Sequence, residues 1–175
     1  SPWSAADGCT ATSYHAVMTL DTLHDEALDI QSETVALRRA LHERPELGND
    51  LPVTRELVLE SLDGLPLDIT LHETTSGISA LLTGSQPGPT VLLRGDMDAL
   101  PMTEETGLDF ASRTGDTMHA CGHDAHTAML VGAARLLSAR RAELPGRVRF
   151  MFQPGEEGDG GAALWPLLTP LLRSR

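Results

Sequence analysis

Apolar residues recur at helical spacing in three stretches of the chain. The pattern over residues 22–43 ends at Pro45 and predicts one helix. A second helix is predicted over residues 52–62, which begin with a proline and are followed closely by a glycine. A third is predicted over residues 123–139, whose apolar side chains fall on one side. These stretches predict three amphipathic helices that need a common apolar layer to pack on.

Short apolar runs bounded by glycine and proline predict the strands of that layer. We expect strands over residues 67–72, 78–83, 90–94 and 147–154, separated by turns that include "GSQPGP". The order helix, helix, strands, helix, strand is typical of α/β proteins. The prediction is therefore an α/β fold in which helices pack on a central sheet that is mostly parallel or mixed.

The charge of the chain limits the partners that it is expected to have. There are 13 basic and 25 acidic residues, which give a net charge of −12. Nucleic-acid binding needs clustered positive charge, so no nucleic-acid partner is expected. No apolar run approaches the roughly 20 residues that span a bilayer, and the sequence does not open with a basic leader. We expect a cytoplasmic protein without a membrane partner and without a disulfide framework.

The stretch "LLRGDMDALPM" places two carboxylates at the end of a predicted strand. Asp96 and Asp98 stand two residues apart, a spacing that projects side chains to the same side of an extended segment. Sites in α/β proteins lie at such strand ends. The alternative interpretation is a solvated acidic turn.

The stretch "MHACGHDAHTAM" concentrates metal-binding side chains at the start of the third helix. Cys121 and His123 offer a thiolate and an imidazole, a combination that suits zinc or a similar transition ion. His119 and His126 fit a supporting or capping role equally well. Asp124, in the first helical turn, fits a role as a partner of the helix dipole.

The stretch "FQPGEEGDGG" breaks a strand and presents two adjacent carboxylates. One of Glu156 and Glu157 can bind a metal ion while the other holds a position for proton transfer. This division suits metal-assisted hydrolysis, in which an unligated carboxylate removes a proton from water. Taken alone, the stretch is better explained as an exposed acidic turn.

Together, these three motifs resemble a known enzyme family in their order and separation. The family is that of the metal-dependent amidohydrolases, which include hippurate hydrolase, N-acyl-amino-acid amidohydrolases and plant auxin-conjugate hydrolases. Aminoacylase and the di-zinc carboxypeptidases are more distant relatives. The likeness extends over about residues 22–163 and implies a metallohydrolase catalytic domain.

The resemblance also implies roles for individual residues. It implies one or two divalent ions, zinc, manganese or cobalt, with Cys121, His123 and Glu157 as ligands. Glu156 matches the general base that activates water. Asp98 matches an acidic residue that steadies the metal site, and Glu104 occupies a position that is usually acidic in relatives.

The implied reaction is hydrolysis of the amide bond between an acyl group and an amino acid or similar amine. The substrate would be a small molecule, and full-length relatives are expected to be homo-oligomers. Relatives continue beyond this chain with further metal-binding histidines and a dimerising lid domain. We therefore expect the isolated chain to bind metal weakly and turn over little.

The expected organisation has three parts. Residues 1–21 are predicted to be a disordered or non-native leader, residues 22–163 the N-terminal part of an incomplete catalytic domain, and residues 164–175 an atypical tail. One alternative is a non-catalytic metal-binding or interaction fragment of the same fold. Another is a structural α/β domain with accidental acids, which predicts no specific metal uptake.

Overall fold

The fold is a mixed α/β arrangement, as the sequence predicts. A computed structural model describes residues 20–158 of the chain. Within this range the elements in chain order are α1 Leu20–Asp29, α2 Gln31–His42, α3 Pro52–Leu62, β1 Leu67–Leu71, β2 Ile78–Thr83, β3 Gln86–Asp96, α4 His123–Ala139 and β4 Pro145–Gln153. The prediction of an α/β fold is confirmed.

The strands of the described region form one mixed sheet in the order β1-β2-β4-β3. β2 pairs antiparallel with both β1 and β4, whereas β3 and β4 are parallel and are joined through α4. Asp96 on β3 is the register partner of Gln153 on β4. Because parallel strands end at the same edge of a sheet, the segments that follow β3 and β4 begin side by side.

The core lies between one face of the sheet and helices α3 and α4. Alternate residues of β2 and β4 point to this face and pair across the strands, Ile78 with Phe152 and Ala80 with Phe150. Helices α3 and α4 supply the opposing layer, so α4 has a fixed position over the sheet. The buried apolar residues of this cluster are Leu51, Val58, Leu62, Ile78, Ala80, Leu82, Met97, Leu130, Val131, Ala134, Val148, Phe150 and Phe152.

The prediction of one continuous helix over residues 22–43 is wrong. The helix is interrupted at Ile30, whose backbone has φ −93° and ψ 2° and separates α1 from α2. The hydroxyl of Thr34 donates a hydrogen bond of 3.0 Å to the carbonyl of Ile30. The backbone N–H of Thr34 donates to the same carbonyl at 3.1 Å, so the break lies in the backbone conformation of Ile30 and not in a lost helical bond to its carbonyl. The apolar period alone does not reveal this local change of backbone conformation.

The "GSQPGP" stretch is not wholly a turn, because β3 begins within it at Gln86. The register with β4 is irregular between Gln86 and Thr90. Both prolines of the stretch lie on β3, an edge strand within the described residues, where a missing N–H is tolerated. A side chain at Gly88 would meet the backbone nitrogen of Gly146 at 2.7 Å, so this contact requires glycine.

The predicted leader and tail fall largely outside the described part of the chain. Residues 1–19 and 159–175 are not described, and the last two residues of the predicted leader lie in α1. Among the helices of residues 20–158, none has the length and apolar character needed to cross a membrane.

Candidate metal centre

The three motifs meet at the edge of the sheet where β3 and β4 end. Asp96 is the last residue of β3, and Asp98 follows it by two residues. His123 is the first residue of α4, while Glu156 and Glu157 follow the end of β4 at Gln153. The parallel pairing of β3 with β4 therefore brings together residues that are far apart in the sequence.

The three side chains predicted as ligands form a compact group. Ligand atoms of Cys121, His123 and Glu157 all lie within 4.8 Å of one another. Zinc binds sulfur at about 2.3 Å and nitrogen or oxygen at about 2.0–2.2 Å, so ligands of one ion lie no more than roughly 4.5 Å apart. His123 is buried, whereas Cys121 is exposed. The donor set and its spacing fit a divalent cation that solvent can reach.

The tautomer of His123 follows from its hydrogen bond to Asp98. Nδ1 of His123 lies 2.8 Å from the backbone carbonyl oxygen of Asp98. A carbonyl oxygen can only accept, so Nδ1 must carry the hydrogen. The Nε2 atom then keeps its lone pair and lies 3.8 Å from Oε1 of Glu157. The nitrogen that can bind a metal thus faces the other predicted ligands.

The carboxylate of Asp98 holds the loop that carries the paired glutamates. Oδ1 accepts the backbone N–H of Glu156 at 3.0 Å, and Oδ2 accepts that of Glu157 at 3.0 Å. Asp98 is 1% exposed, so these bonds are shielded from water. Asp98 therefore contacts both the metal-facing histidine and the two glutamates.

Glu156 lies beside this group and is open to solvent. Its Oε2 is 3.9 Å from Nε2 of His123, and its side chain is 41% exposed. The preceding residue, Gly155, has φ +64°, a backbone conformation that favours glycine. After this turn, both adjacent carboxylates lie within 4 Å of the same imidazole nitrogen.

Cys121 is protonated more readily in this environment than an ordinary thiol. A hydrogen bond to Glu157 raises the pKa of Cys121, and some loss of hydration and the charges of Glu157, Glu156 and Asp96 add to the increase. A cation placed among these acids would oppose the same effect, because it stabilises the thiolate.

A second group of potential ligands shares His123. Ligand atoms of Asp96, His123 and His126 lie within 4.8 Å of one another, and Nδ1 of His126 is 2.6 Å from Oδ1 of Asp96. Burial raises the pKa of Asp96, but the hydrogen bond from His126 and the charges of His123 and Arg94 outweigh it and hold the pKa below its usual value. Nε2 of His123 has one lone pair, so His123 can be a ligand in only one of these two sets at a time.

Sequence reasoning missed a buried cluster of charges behind the site. Asp124 lies 2.9 Å from Nε of Arg38 and 2.6 Å from Nδ1 of His42. On its other side, His42 lies 3.2 Å from Oε1 of Glu104. Burial raises the pKa of Glu104, but hydrogen bonds from Ser112 and other neighbours outweigh it and hold the pKa below its usual value. Asp124 is thus more than a partner of the helix dipole.

His119 lies beside this cluster and is buried. Its ring centroid is 6.3 Å from that of His42, and neither of its ring nitrogens has a hydrogen-bond partner in the described range. Burial lowers the pKa of His119 to about 4, which keeps the ring neutral near pH 7.

Similarity to known proteins covers both the fold and the site. Residues 92–170 match the model of peptidase family M20/M25/M40. The chain is 46% identical over 129 residues to the N-acetylcysteine deacetylase of Bacillus subtilis strain 168, which covers 73% of this chain and 34% of that protein. It is 44% identical over 128 residues to the IAA-amino acid hydrolase ILR1-like 5 of Arabidopsis thaliana, covering 73% of this chain and 29% of that protein.

Two solved structures share the arrangement of helices and strands. A putative aminohydrolase from methicillin-resistant Staphylococcus aureus superposes with a TM-score of 0.79 at 35% identity, covering 83% of this chain and 38% of that one. The YXEP protein of Bacillus subtilis, described as a dinuclear metal-binding peptidase of the M20 family, gives a TM-score of 0.73 at 39% identity. That superposition covers 89% of this chain and 41% of the other.

The fold, the converging motifs and the similarities all point to the same class of proteins, the metal-binding peptidases and amidohydrolases that this chain resembles. The chain is similar to part of the domain of peptidase family M20/M25/M40, in line with the resemblance of its motifs. It spans about a third of the length of the curated relatives that it matches.

Proposed function

We propose that the chain carries the metal-binding part of a hydrolase that cleaves the amide bond of N-acyl amino acids. The observation that supports this most directly is the convergence of Cys121, His123 and Glu157 beside the second carboxylate of Glu156. Three protein ligands with an open side are the arrangement typical of catalytic zinc sites.

One or two divalent ions, zinc, manganese or cobalt, would be held by Cys121, His123 and Glu157. Such an ion supplies Lewis acidity, which polarises an amide carbonyl and lowers the pKa of water. His123 would contribute Nε2, because Nδ1 is committed to the carbonyl of Asp98. Asp98 would fix the positions of the ligands relative to one another rather than bind the ion itself.

Glu156 is the residue proposed to move the proton. Its exposed carboxylate can take a proton from water at Oε2 and return it to the amide nitrogen. Addition of water to the carbonyl and loss of the amine break the C–N bond and leave a carboxylic acid and a free amine. Asp98 fixes the backbone of Glu156, which keeps the base near the reacting atoms.

The substrate class is inferred from the similar proteins. The relatives are named as deacetylases of N-acetylcysteine and as hydrolases of IAA-amino acids, all of which carry an acyl group on an amino acid. We infer a small-molecule amide of this kind for the present chain. The net charge of −12 argues against a nucleic-acid partner, and the cytoplasmic location stays a proposal.

The test is release of amine from hippurate and N-acetyl amino acids by the chain loaded with zinc, manganese or cobalt. Because the chain spans a third of its relatives, we expect slow turnover that Glu156→Gln abolishes while metal binding persists. The control is Glu105→Gln, an exposed acid of the loop that follows β3. Tight metal binding without hydrolysis of any substrate would favour the non-catalytic fragment instead.

A further inference from the structure

A cluster of charged side chains, all buried except Arg38, joins α2 to the start of α4, where His123 also lies. Asp124, whose side chain is 0% exposed, contacts Arg38 and His42 of α2. Glu104, from the loop between β3 and α4, contacts the other ring nitrogen of His42. None of these four residues belongs to the predicted ligand set.

Every oxygen of the Asp124 carboxylate is engaged. Oδ1 accepts the backbone N–H of Ala125 at 2.8 Å, while Oδ2 receives both contacts from α2. A buried carboxylate is costly unless it is paired in this way, and removing one partner leaves an uncompensated charge. The orientation of the first turn of α4 relative to α2 is therefore fixed by these bonds.

His42 is held from both sides. Its Nδ1 lies 2.6 Å from Asp124, and its Nε2 lies 3.2 Å from Glu104. Glu104 is itself held by the backbone N–H of Ser112 at 2.6 Å and by the hydroxyl of Thr106. The ring of His42 therefore has one orientation, which in turn limits where Asp124 can lie.

The cluster is adjacent to the metal-facing histidine in the chain. Asp124 directly follows His123, and consecutive residues of a helix project about 100° apart. With Asp124 fastened toward α2, the side chain of His123 is directed toward Asp98 and the paired glutamates. We propose that Arg38, His42 and Glu104 act through Asp124 as positioning residues for His123.

This inference rests on the proposed metal site but concerns different residues. A role only in stability would lower the free energy of unfolding and leave the metal site intact whenever the protein is folded. A positioning role would weaken metal binding in protein that is fully folded. Metal affinity and the spectrum of the bound ion separate these two roles, and neither requires turnover.

The experiment is a cobalt(II) titration of the full chain, followed by thiolate-to-cobalt charge-transfer and d–d absorption. For Asp124→Asn and His42→Gln we expect cobalt affinity to fall about 10–100-fold, with altered bands and unchanged far-UV circular dichroism. The double variant should lose no more than the stronger single variant, because the two residues act as a unit. Affinity and bands equal to those of the unmodified chain in folded variants would overturn the proposal.

The matched control is Glu33→Gln. Glu33 on α2 pairs with Arg135 on α4, so it joins the same two helices at a distance from His123. Its removal should leave cobalt affinity within about twofold, since surface pairs contribute little. An equal loss in this control would mean that general helix docking is responsible, and the proposal would be wrong.

If the Asp124→Asn variant does not fold, Arg38→Gln provides a second test of the proposal. Arg38 is 31% exposed at the side chain and stands at the margin of the cluster, so the variant keeps the His42 contact. It should bind cobalt several-fold more weakly while folded, and unchanged binding would overturn the proposal. Failure of the unmodified chain to bind cobalt is a separate outcome, which contradicts the proposed function itself.

Discussion

Asp98 accepts the backbone N–H of Glu157 through Oδ2 at 3.0 Å and binds the adjacent N–H of Glu156 through Oδ1. A side chain just after β3 thus holds the loop that follows β4, the strand parallel to β3. The same residue accepts a hydrogen bond from His123 at its carbonyl. Asp98 therefore determines how the candidate ligands are placed relative to one another.

Replacing Asp98 by asparagine should weaken both the fold and the metal site. The amide nitrogen of asparagine is a donor and cannot accept the backbone N–H that it would face. That buried N–H then has no acceptor, which lowers the free energy of unfolding by about 1–3 kcal/mol. Metal affinity should fall about 10–100-fold, as for other groups that orient ligands. Urea unfolding and zinc competition measure the two effects. Asp116→Asn, at an exposed position, should change neither, and an unaffected Asp98→Asn would contradict this role.

Cys121→Ser should remove metal binding without affecting the metal-free fold. The thiol is exposed and contributes no apolar burial, so the free energy of unfolding should change by less than about 0.5 kcal/mol. In the unmodified chain, zinc at 100 times its dissociation constant should add about 2.7 kcal/mol of stability. Thermal melts with and without zinc test this, and an equal zinc-induced shift in the serine variant would exclude Cys121 as a ligand.

Acidification should destabilise the metal-free protein through His119. Its pKa falls from 6.5 in the unfolded chain to about 4 in the fold because of burial, so the unfolded state binds more protons between these values. Stability is therefore full above pH 6.5 and declines as pH falls toward 4, by about 3 kcal/mol in all.

His119→Gln, which does not titrate, should flatten this decline between pH 6.5 and 4. The lowered pKa values of Asp96 and Glu104 act in the same direction but at lower pH, below their usual values near 4. Urea unfolding at several pH values gives the slopes. A slope in the glutamine variant as steep as in the unmodified chain would assign the effect to other groups.

Gly155 and Gly122 should respond differently to alanine. Both have positive φ, which costs an L-residue about 1–2 kcal/mol. A Cβ at Gly122 meets nothing within 4 Å, whereas one at Gly155 would meet Oδ1 of Asn49 at 2.4 Å. Gly155→Ala should therefore be the more destabilising change in urea unfolding, and it should displace Glu156. Equal losses in the two variants would show that the contact with Asn49 is readily relieved.

The edge strand β3 should promote association. It exposes Val91 at 50% and Leu92 at 41%, and exposed apolar edges pair with other chains. We expect concentration-dependent association by sedimentation, reduced by Val91→Arg. Leu28→Arg, at a similarly exposed residue on helix α1 and outside the sheet, is the control. A monomer at all concentrations would contradict this expectation.

The sequence pattern predicted most helices and strands, because residues within or next to each of them determine where it begins and ends. The bounds of α3 and α4 agree with the prediction, since proline, glycine and the apolar period define them within a few residues. The interruption at Ile30 was missed because it is a change in the backbone conformation of one residue, through which the apolar period continues. The early start of β3 was missed because proline in an edge strand resembles a turn.

The sequence predicted which residues could bind a metal, but not the contacts that hold those residues in place. Cysteine, histidine and paired acids mark metal chemistry by residue type, and the order of strands implies where they meet. His42 and Asp124 are 82 residues apart, and nothing local marks them as partners. Likewise, the hydrogen bonds of Asp98 to the glutamate loop depend on the register of β3 with β4, which the sequence pattern does not specify.

The central claim is that Cys121, His123 and Glu157 bind one cation. X-ray absorption spectroscopy of the zinc-loaded chain measures this directly, because sulfur and lighter ligands scatter differently. The account predicts one sulfur at about 2.3 Å with nitrogen and oxygen at about 2.0–2.2 Å. The sulfur contribution should vanish in Cys121→Ser. A zinc ion surrounded only by oxygen in the unmodified chain would contradict the account.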